Sequence, residues 1–146
     1  MQAGIIGLGL IGGSLGLALR ETKMFKRILG YDKAALHEQQ ALSLGLVDEC
    51  ASMEEISQCD VIFIAVPLDF VAPIVNAFSD LTPTQTIIDL GSTKHAIHEL
   101  IESKMRKNYV GAHPMSGTEH SGPKAAQKDL FKNKILILTD HLERYF

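Results

Sequence analysis

The sequence is poor in several features that mark particular classes of protein. It has no tryptophan, only two cysteines and no excess of basic residues, since 14 lysines and arginines stand against 17 aspartates and glutamates. Because no basic stripe is available to neutralise phosphates, a nucleic-acid partner is not expected. No apolar run reaches the roughly 20 residues that a membrane span requires, and no period indicates a repeat protein. A globular domain without nucleic-acid or membrane partners is therefore expected.

The absences extend to targeting signals and metal sites. The first residues, MQAGIIGLGL, lack the positively charged start of a signal peptide, which predicts a cytoplasmic protein. Cys50 and Cys59 form neither a CxxC pair nor half of a zinc site, and we interpret both as small buried hydrophobic residues. His95 and His98 share a predicted helix face, but the spacing places no third ligand beside them. No metal is predicted.

The residues that are present indicate one α/β domain. Short β-branched runs alternate with longer amphipathic stretches, which is typical of βαβ units around a mostly parallel sheet with helices on both faces, the Rossmann-type doubly wound fold. We predict that residues 1–146 form one dinucleotide-binding domain. The first predicted helix has Ile11, Leu15, Ala18 and Leu19 on one face. The predicted strands are 3–6, 28–31, 47–50, 61–66, 86–90, 109–112 and 134–139, and the later helices are 34–44, 69–80, 94–107 and a short one that ends near residue 131.

Glycine is unevenly distributed, because six of the 12 glycines fall within the first 16 residues. The segment Gly7-Leu8-Gly9-Leu10-Ile11-Gly12 is a GxGxxG motif that follows a predicted strand and opens a predicted helix. In this motif Gly7 permits a tight turn, Gly9 allows a pyrophosphate to approach the backbone, and Gly12 allows the helix to pack closely on the strand. The helix N-terminus then offers free amides to the phosphates.

An acidic residue stands where this motif requires one. Asp32 lies 20 residues after Gly12, at the end of the second predicted strand, where a carboxylate can accept both ribose hydroxyls of an adenosine. It would repel a 2′-phosphate, so NAD is favoured over NADP, although the adjacent Lys33 can soften that preference. The alternative is a structural glycine-rich turn that binds another nucleotide or none. The predicted cofactor residues are Gly7, Gly9, Leu10, Ile11, Gly12, Asp32, Val66, Pro67 and Ser92.

Two further loops follow predicted strands that we expect to be neighbours. One carries Ser92, and the other begins at His113. Because ligands of doubly wound sheets sit outside the carboxyl ends of the strands, we expect Ser92 and His113 to meet beside a nicotinamide. An imidazole is suited to take the proton of an alcohol as hydride leaves the carbon. The alternative for His113 is a strand-end histidine that donates to a backbone carbonyl.

Four segments carry a resemblance to a known family. GLGLIGGSLGLAL, GYD, DLGSTK and especially GAHPMSGTEHSGPKAA resemble the N-terminal domain of the prephenate dehydrogenase family, and the resemblance runs from Gly4 to Thr139. It implies oxidative decarboxylation of prephenate or arogenate in tyrosine biosynthesis, with NAD or NADP as hydride acceptor. It further implies that His113 removes the proton of the ring hydroxyl and that Ser92 orients that histidine. Lys94, Thr118 and Glu119 match positions on the substrate side.

This sequence departs from the family pattern in one respect. Family members continue into a helical second domain that forms a homodimer and supplies an arginine for the substrate carboxylates, and nothing up to Phe146 matches it. A cofactor-binding module without turnover therefore remains a competing hypothesis. Another is a two-domain dehydrogenase for a β-hydroxy acid, against which the serine–lysine loop and HPMSGTE argue.

Overall fold

The fold is built on one mixed sheet. The structure is a computed structural model that describes residues 1–92 and 95–139, with only the backbone at position 95. Within these residues, seven strands form a single sheet in the order β3-β2-β1-β4-β5-β6-β7. Strands β1 to β6 are parallel, and β7 is antiparallel to β6. The strands are β1 (Gln2–Ile6), β2 (Arg27–Tyr31), β3 (Glu49–Cys50), β4 (Val61–Ile64), β5 (Thr86–Asp89), β6 (Tyr109–Pro114) and β7 (Leu136–Thr139).

Helices cover both faces of this sheet. In the described part of the chain they are α1 (Leu10–Thr22), α2 (Ala35–Ser43), α3 (Met53–Ile56), α4 (Leu68–Ala77) and α5 (His95–Leu100), with short 3₁₀ turns at Ser103–Met105 and Pro123–Ala125. Side chains alternate across β4, so that Ile62 and Ile64 join a core cluster with α3, α4 and α5, whereas Phe63 joins a second cluster with α2 and β1. The predicted doubly wound α/β fold is thus confirmed.

The strand order reverses at β1, which creates the crevice typical of this fold. The chain runs from β1 outward to β2 and β3, and then crosses over to β4 on the other side of β1. Loops that leave the carboxyl ends of β1 and β4 therefore separate to opposite faces of the sheet. Such a switch point is where open α/β sheets bind their ligands.

Helix α1 packs through its glycines as well as through the predicted apolar face. Gly12, Gly13, Ser14 and Gly16 are buried, while Leu15 and Leu19 are partly buried against the core cluster that contains Phe63. A Cβ at Gly16 would lie 2.0 Å from the carbonyl oxygen of Leu46, so the missing side chain allows the helix to approach the segment between α2 and β3.

The predicted helix 94–107 is wrong in its second half, because α5 ends at Leu100. Asn76 of α4 explains the end. Its Nδ2 donates to the Leu100 carbonyl at 2.8 Å, and its Oδ1 accepts the Glu102 N–H at 2.9 Å. One side chain thus binds the two backbone groups that another helical turn would have used.

The predicted helix after Pro123 is also largely wrong. It is reduced to the 3₁₀ turn Pro123–Ala125, after which Ala126 is extended. The Ser14 hydroxyl, buried in α1, accepts the Gln127 N–H at 2.8 Å. This bond removes a backbone donor that a continuing helix would require, and it anchors the segment across α1.

Strand β6 extends two residues beyond the predicted end at Ala112. Antiparallel pairing with β7 continues through His113, opposite Ile137, to Pro114, opposite Leu136. His113 is therefore held by a strand rather than by a free loop. In the described residues, no helix is long and apolar enough to cross a membrane.

Candidate functional site

A cavity of about 440 Å³ opens at the switch point, beyond the carboxyl ends of β1, β2 and β4. Three loops form its walls: the glycine loop after β1, the turn after β2 that contains Asp32, and the turn after β4. Its apolar side is completed by residues of α3 and α4. The lining residues are Ile6, Gly7, Gly9, Tyr31, Asp32, Lys33, Ala34, His37, Met53, Ala65, Val66, Pro67, Phe70 and Ile74.

Two glycines of the loop are required by the fold itself. Gly7 has φ +94°, and a Cβ there would lie 2.3 Å from the Ala65 carbonyl oxygen. A Cβ at Gly12 would lie 1.8 Å from the carbonyl oxygen of Gly7. The tight turn and the close helix packing assigned to these glycines in the sequence are therefore present, because the helix begins against the strand's own backbone.

Gly9 is different, because the fold does not require its missing side chain. A Cβ at Gly9 would meet no atom within 4 Å, and its φ of −88° is accessible to any residue. Gly9 lines the cavity and is the N-cap of α1, whose first turn carries no acidic residue. The space beside Gly9 and the partial positive charge of the helix N-terminus together suit an anionic ligand.

Asp32 forms part of the cavity wall beside the glycine loop. Its carboxylate is 12% exposed and is held by two backbone donors, with Oδ2 accepting the Leu8 N–H and Oδ1 the Ala34 N–H, both at 2.8 Å. The Leu8 bond ties the acid directly to the glycine loop. A fixed carboxylate with free lone pairs at the cavity wall can accept the hydroxyl groups of a ribose.

The remaining predicted cofactor residues divide into two groups. Val66 and Pro67 line the cavity, where they follow β4. Leu10 and Ile11 lie in the first turn of α1, partly exposed, outside the set of lining residues. The ammonium of Lys33 lies 4.6 Å from the centroid of the Phe70 ring, and both residues line the cavity.

The second predicted half-site lies at the ends of β5 and β6. These strands are parallel and pair Asp89 with Gly111, so that Gly91 and His113 each lie two residues further along the same edge. Ser92 follows Gly91 and is exposed. The register thus brings the Ser92 loop and His113 to neighbouring strand ends, as the sequence predicts.

A buried acid supports the Ser92 loop. Asp89 is fully buried, accepts the Tyr109 hydroxyl at 2.9 Å through Oδ2, and accepts the Gly91 N–H at 2.7 Å through Oδ1. These bonds fix the turn that precedes Ser92. Sequence reasoning missed Asp89 and Tyr109, although a charged residue at the end of the apolar run Thr86-Ile87-Ile88-Asp89 is a usable signal.

His113 is half-buried, and its Nδ1 is shielded from solvent without a hydrogen-bond partner among the described residues. The same holds for the hydroxyl of Ser116 in the loop that follows. Unpaired buried polar atoms are uncommon in proteins, and catalytic sites are one place where they occur. Among the described residues, Nδ1 of His113 donates to no backbone carbonyl.

The other predicted substrate-side residues are on the surface. Thr118 and Glu119 are exposed, with the Thr118 hydroxyl accepting the His120 N–H at 3.1 Å and Glu119 lying 3.8 Å from the His120 ring. Lys94 lies outside the described residues. The structure therefore places Thr118 and Glu119 in the loop after His113 and leaves them free to meet a ligand from outside.

The two cysteines form no site in the described part of the chain, and the side chain of His95, paired with His98 in the sequence, lies outside it. Both cysteines are free, and burial raises the pKa of the Cys59 thiol to about 11. Cys59 is therefore the small buried residue predicted, while Cys50 is only partly buried. Among the described residues no group of three metal-ligating side chains exists.

Comparison with known proteins identifies relatives of the whole domain. The family model for the nucleotide-binding domain of prephenate dehydrogenase matches residues 15–144. The prephenate dehydrogenase of Bacillus subtilis is 35% identical over 141 residues, which are 92% of this chain and 38% of the relative. The chain thus spans well under half the length of this curated relative.

Solved structures agree with these matches. A prephenate dehydrogenase of Aquifex aeolicus, in complex with hydroxyphenyl propionate and NAD⁺, superposes with a TM-score of 0.87 at 30% identity, over 95% of this chain and 50% of that one. An arogenate dehydrogenase of Synechocystis superposes with a TM-score of 0.84 at 30% identity, with the same shares covered. In both, the similarity covers half of a longer protein.

Proposed function

Because the chain belongs to the prephenate dehydrogenase nucleotide-binding domain family, we propose that it binds NAD⁺ as the cofactor domain of a prephenate dehydrogenase. The proposed reaction is the oxidative decarboxylation of prephenate to 4-hydroxyphenylpyruvate in tyrosine biosynthesis. In this proposal residues 1–146 are the dinucleotide-binding domain. A helical domain outside this chain binds the substrate carboxylates and forms the dimer of a cytoplasmic enzyme.

The observation that carries the proposal is the pairing of Gly9 and Asp32 on one cavity at the switch point. Gly9 leaves open space at a helix N-terminus, which fits a pyrophosphate, and Asp32 offers fixed carboxylate oxygens, which fit the ribose hydroxyls. The apolar wall of Met53, Phe70 and Ile74 between β2 and α4 fits an adenine ring. The residues present therefore suit a dinucleotide whose adenosine carries a free 2′-hydroxyl.

In the proposed reaction, this chain supplies the general base, His113, and the residues that hold it in position. When bound, NAD⁺ supplies the acceptor for the hydride that leaves the ring carbon. His113 takes the hydroxyl proton as the carbon–oxygen double bond forms. When carbon dioxide leaves, the electrons of the broken bond to the carboxylate carbon make the ring aromatic and turn the carbonyl oxygen into a phenolate, which takes the proton back from His113. The position of His113 supports this role, because its half-buried imidazole lies at the carboxyl end of β6, where the exposed part of the ring can exchange a proton with a ligand.

Ser92 is proposed to orient His113 and the nicotinamide. Support comes from the β5–β6 register, which brings the loop of Ser92 to the same sheet edge as His113, and from the Asp89 carboxylate that fixes the preceding Gly91 N–H. Lys94, Thr118 and Glu119 are proposed to lie on the substrate side. The active site in this proposal is shared between the two domains, since the groups that bind the substrate carboxylates lie outside this chain.

Titration calorimetry with NAD⁺ tests the cofactor assignment. Asp32→Ala is expected to weaken NAD⁺ binding by about tenfold or more, because hydrogen bonds to a charged partner contribute about 1.5–3 kcal/mol each. Asp129→Ala is the matched control, since Asp129 is exposed and lies outside the cavity. Equal affinity of Asp32→Ala and the unchanged domain would refute the assignment of Asp32 to the ribose.

Arogenate is the second candidate substrate, because the Synechocystis arogenate dehydrogenase is as similar in fold and identity as its prephenate counterpart. The two substrates differ only in the side chain that the second domain would bind. Rates measured with each substrate in the full-length enzyme separate them.

A further inference from the structure

One cavity residue that the proposed function does not use is His37, in the first turn of α2. Its ring is 39% exposed, and its Nδ1 lies 3.4 Å from Oδ2 of Asp32, the oxygen that also accepts the Leu8 N–H. His37 therefore stands beside the carboxylate proposed to receive the ribose hydroxyls. A side chain that can carry a positive charge thus adjoins the charge that would repel a 2′-phosphate.

The groups around His37 are few and of mixed charge. Asp32 and Lys33 face it from the end of β2, Glu38 is its neighbour on α2, and Cys50 of β3 lies behind Glu38. Glu38 uses Oε1 to accept the Asp32 N–H at 3.1 Å. The thiol pKa of Cys50 is raised by burial and by the nearby carboxylates, so that it remains uncharged. The residues of α3 and α4 that line this cavity are Met53, Phe70 and Ile74, none of which titrates.

Lys33 is placed differently from His37, although both can be cationic. Its ammonium lies over the Phe70 ring, and lysine side chains as a class stay charged throughout the neutral range. His37 contacts the carboxylate directly, and imidazoles as a class change charge between pH 5 and 8. The charge at the ribose position therefore depends on His37, against a constant background from Lys33.

We propose that His37 determines the choice between NAD and NADP, with its protonated ring admitting the 2′-phosphate that Asp32 otherwise excludes. The proposal rests on the dinucleotide site proposed above. With His37 neutral, no cation opposes the negative charge of Asp32 from His37, and the carboxylate repels a phosphate. With His37 protonated, the imidazolium neutralises Asp32 and offers an N–H to the phosphate oxygens. The preference for NAD is thus strong at high pH and falls as the pH decreases.

The test is the ratio of the dissociation constants of NADP⁺ and NAD⁺, measured by calorimetry on the domain at pH 8.5 and 5.5. The 2′-phosphate itself gains a proton near pH 6, which also lowers the ratio at acidic pH, so the comparison must be made with His37→Gln. This variant keeps a polar side chain without a titrating ring. From pH 8.5 to pH 5.5, we expect the ratio of the NADP⁺ and NAD⁺ dissociation constants to fall in both proteins. The fall in the unchanged domain should exceed that in His37→Gln by about tenfold, which is within the usual range of coupling between two binding events.

Lys33→Gln is the matched control, since it removes the cation that lies over Phe70 instead of the one beside Asp32. It is expected to weaken NADP⁺ binding at both pH values while the change of the ratio with pH is retained. The proposal is overturned if His37→Gln and the unchanged domain have the same pH dependence of the ratio while both bind NAD⁺. Failure of the unchanged domain to bind NAD⁺ at pH 8.5 would instead refute the proposed function on which it rests.

Discussion

Gly12→Ala is expected to destabilise the domain by about 3 kcal/mol or more, a large share of the 5–15 kcal/mol that stabilises a typical domain. The added Cβ would lie 1.8 Å from the Gly7 carbonyl oxygen. The Gly7 oxygen belongs to the backbone and cannot turn aside as the end of a flexible side chain could. Therefore α1 must move off β1, or the glycine loop must change shape. Urea unfolding followed by circular dichroism measures this loss as a lower midpoint.

Gly9→Ala is the matched substitution three residues earlier, and it should weaken NAD⁺ binding while leaving the stability of the fold nearly unchanged. Its Cβ meets no protein atom within 4 Å, so the stability should change by less than about 1 kcal/mol, the cost of alanine at an N-cap. NAD⁺ affinity should nevertheless fall by about tenfold or more, since the methyl group takes the space of the pyrophosphate. If Gly9→Ala bound NAD⁺ normally, or Gly12→Ala unfolded at the same urea concentration as the unchanged domain, the assigned roles of the two glycines would be wrong.

His113→Asn should lower kcat by more than about 100-fold in the full-length enzyme that contains this domain, with little change in KM. Asparagine can occupy the same strand position opposite Ile137 but cannot accept a proton. The effect therefore belongs to the chemical step rather than to folding or cofactor binding. The measurement is the steady-state rate of NADH formation from prephenate, together with the NAD⁺ affinity of each variant.

The same substitution at His120 controls for the loss of an imidazole. His120 lies in the loop after His113 with a side chain that is 71% exposed, and His120→Asn should retain kcat within about threefold. The base assignment is contradicted by an unchanged kcat in His113→Asn. An unchanged kcat with a raised KM for NAD⁺ would assign His113 to cofactor binding instead.

The parts of this fold that could be predicted from the sequence are those whose cause is local. The roles of Gly7 and Gly12 follow from backbone geometry within one βα unit, and the capping box of Ser52 and Glu55, with its two reciprocal bonds, is another feature fixed by neighbours along the chain. The central strand Val61–Ile64 is apolar on both faces because both faces are covered.

The elements that were predicted wrongly are decided by distant residues. Helix α5 ends where Asn76 of another helix takes its backbone groups, and the segment after Pro123 is held by Ser14, 113 positions earlier than its partner Gln127. No periodicity in the affected segment records such a bond. The contact of Gly16 could not be predicted for a related reason, since Gly16 packs against the Leu46 backbone and not through an apolar side chain.

The residues of the candidate site also divide into those that local sequence can predict and those that distant contacts decide. Asp32 is predictable because its distance from the glycine loop reflects one βαβ unit, whereas His37 depends on how α2 turns its first residues toward Asp32. Tyr109 depends on parallel pairing that aligns β5 with β6. A motif thus identifies residues whose positions are fixed within one βαβ unit. The side chains that neighbouring elements bring to the site can be identified only from the packed sheet.

The most direct test of the central claim, that a dinucleotide binds between the glycine loop and Asp32, is an NMR titration of the ¹⁵N-labelled domain with NAD⁺. The largest amide shifts should occur at residues 7–11 and 32–34, while Leu136–Thr139 at the sheet edge remain unchanged. Shifts confined to other surfaces, or none at saturating NAD⁺, would contradict it.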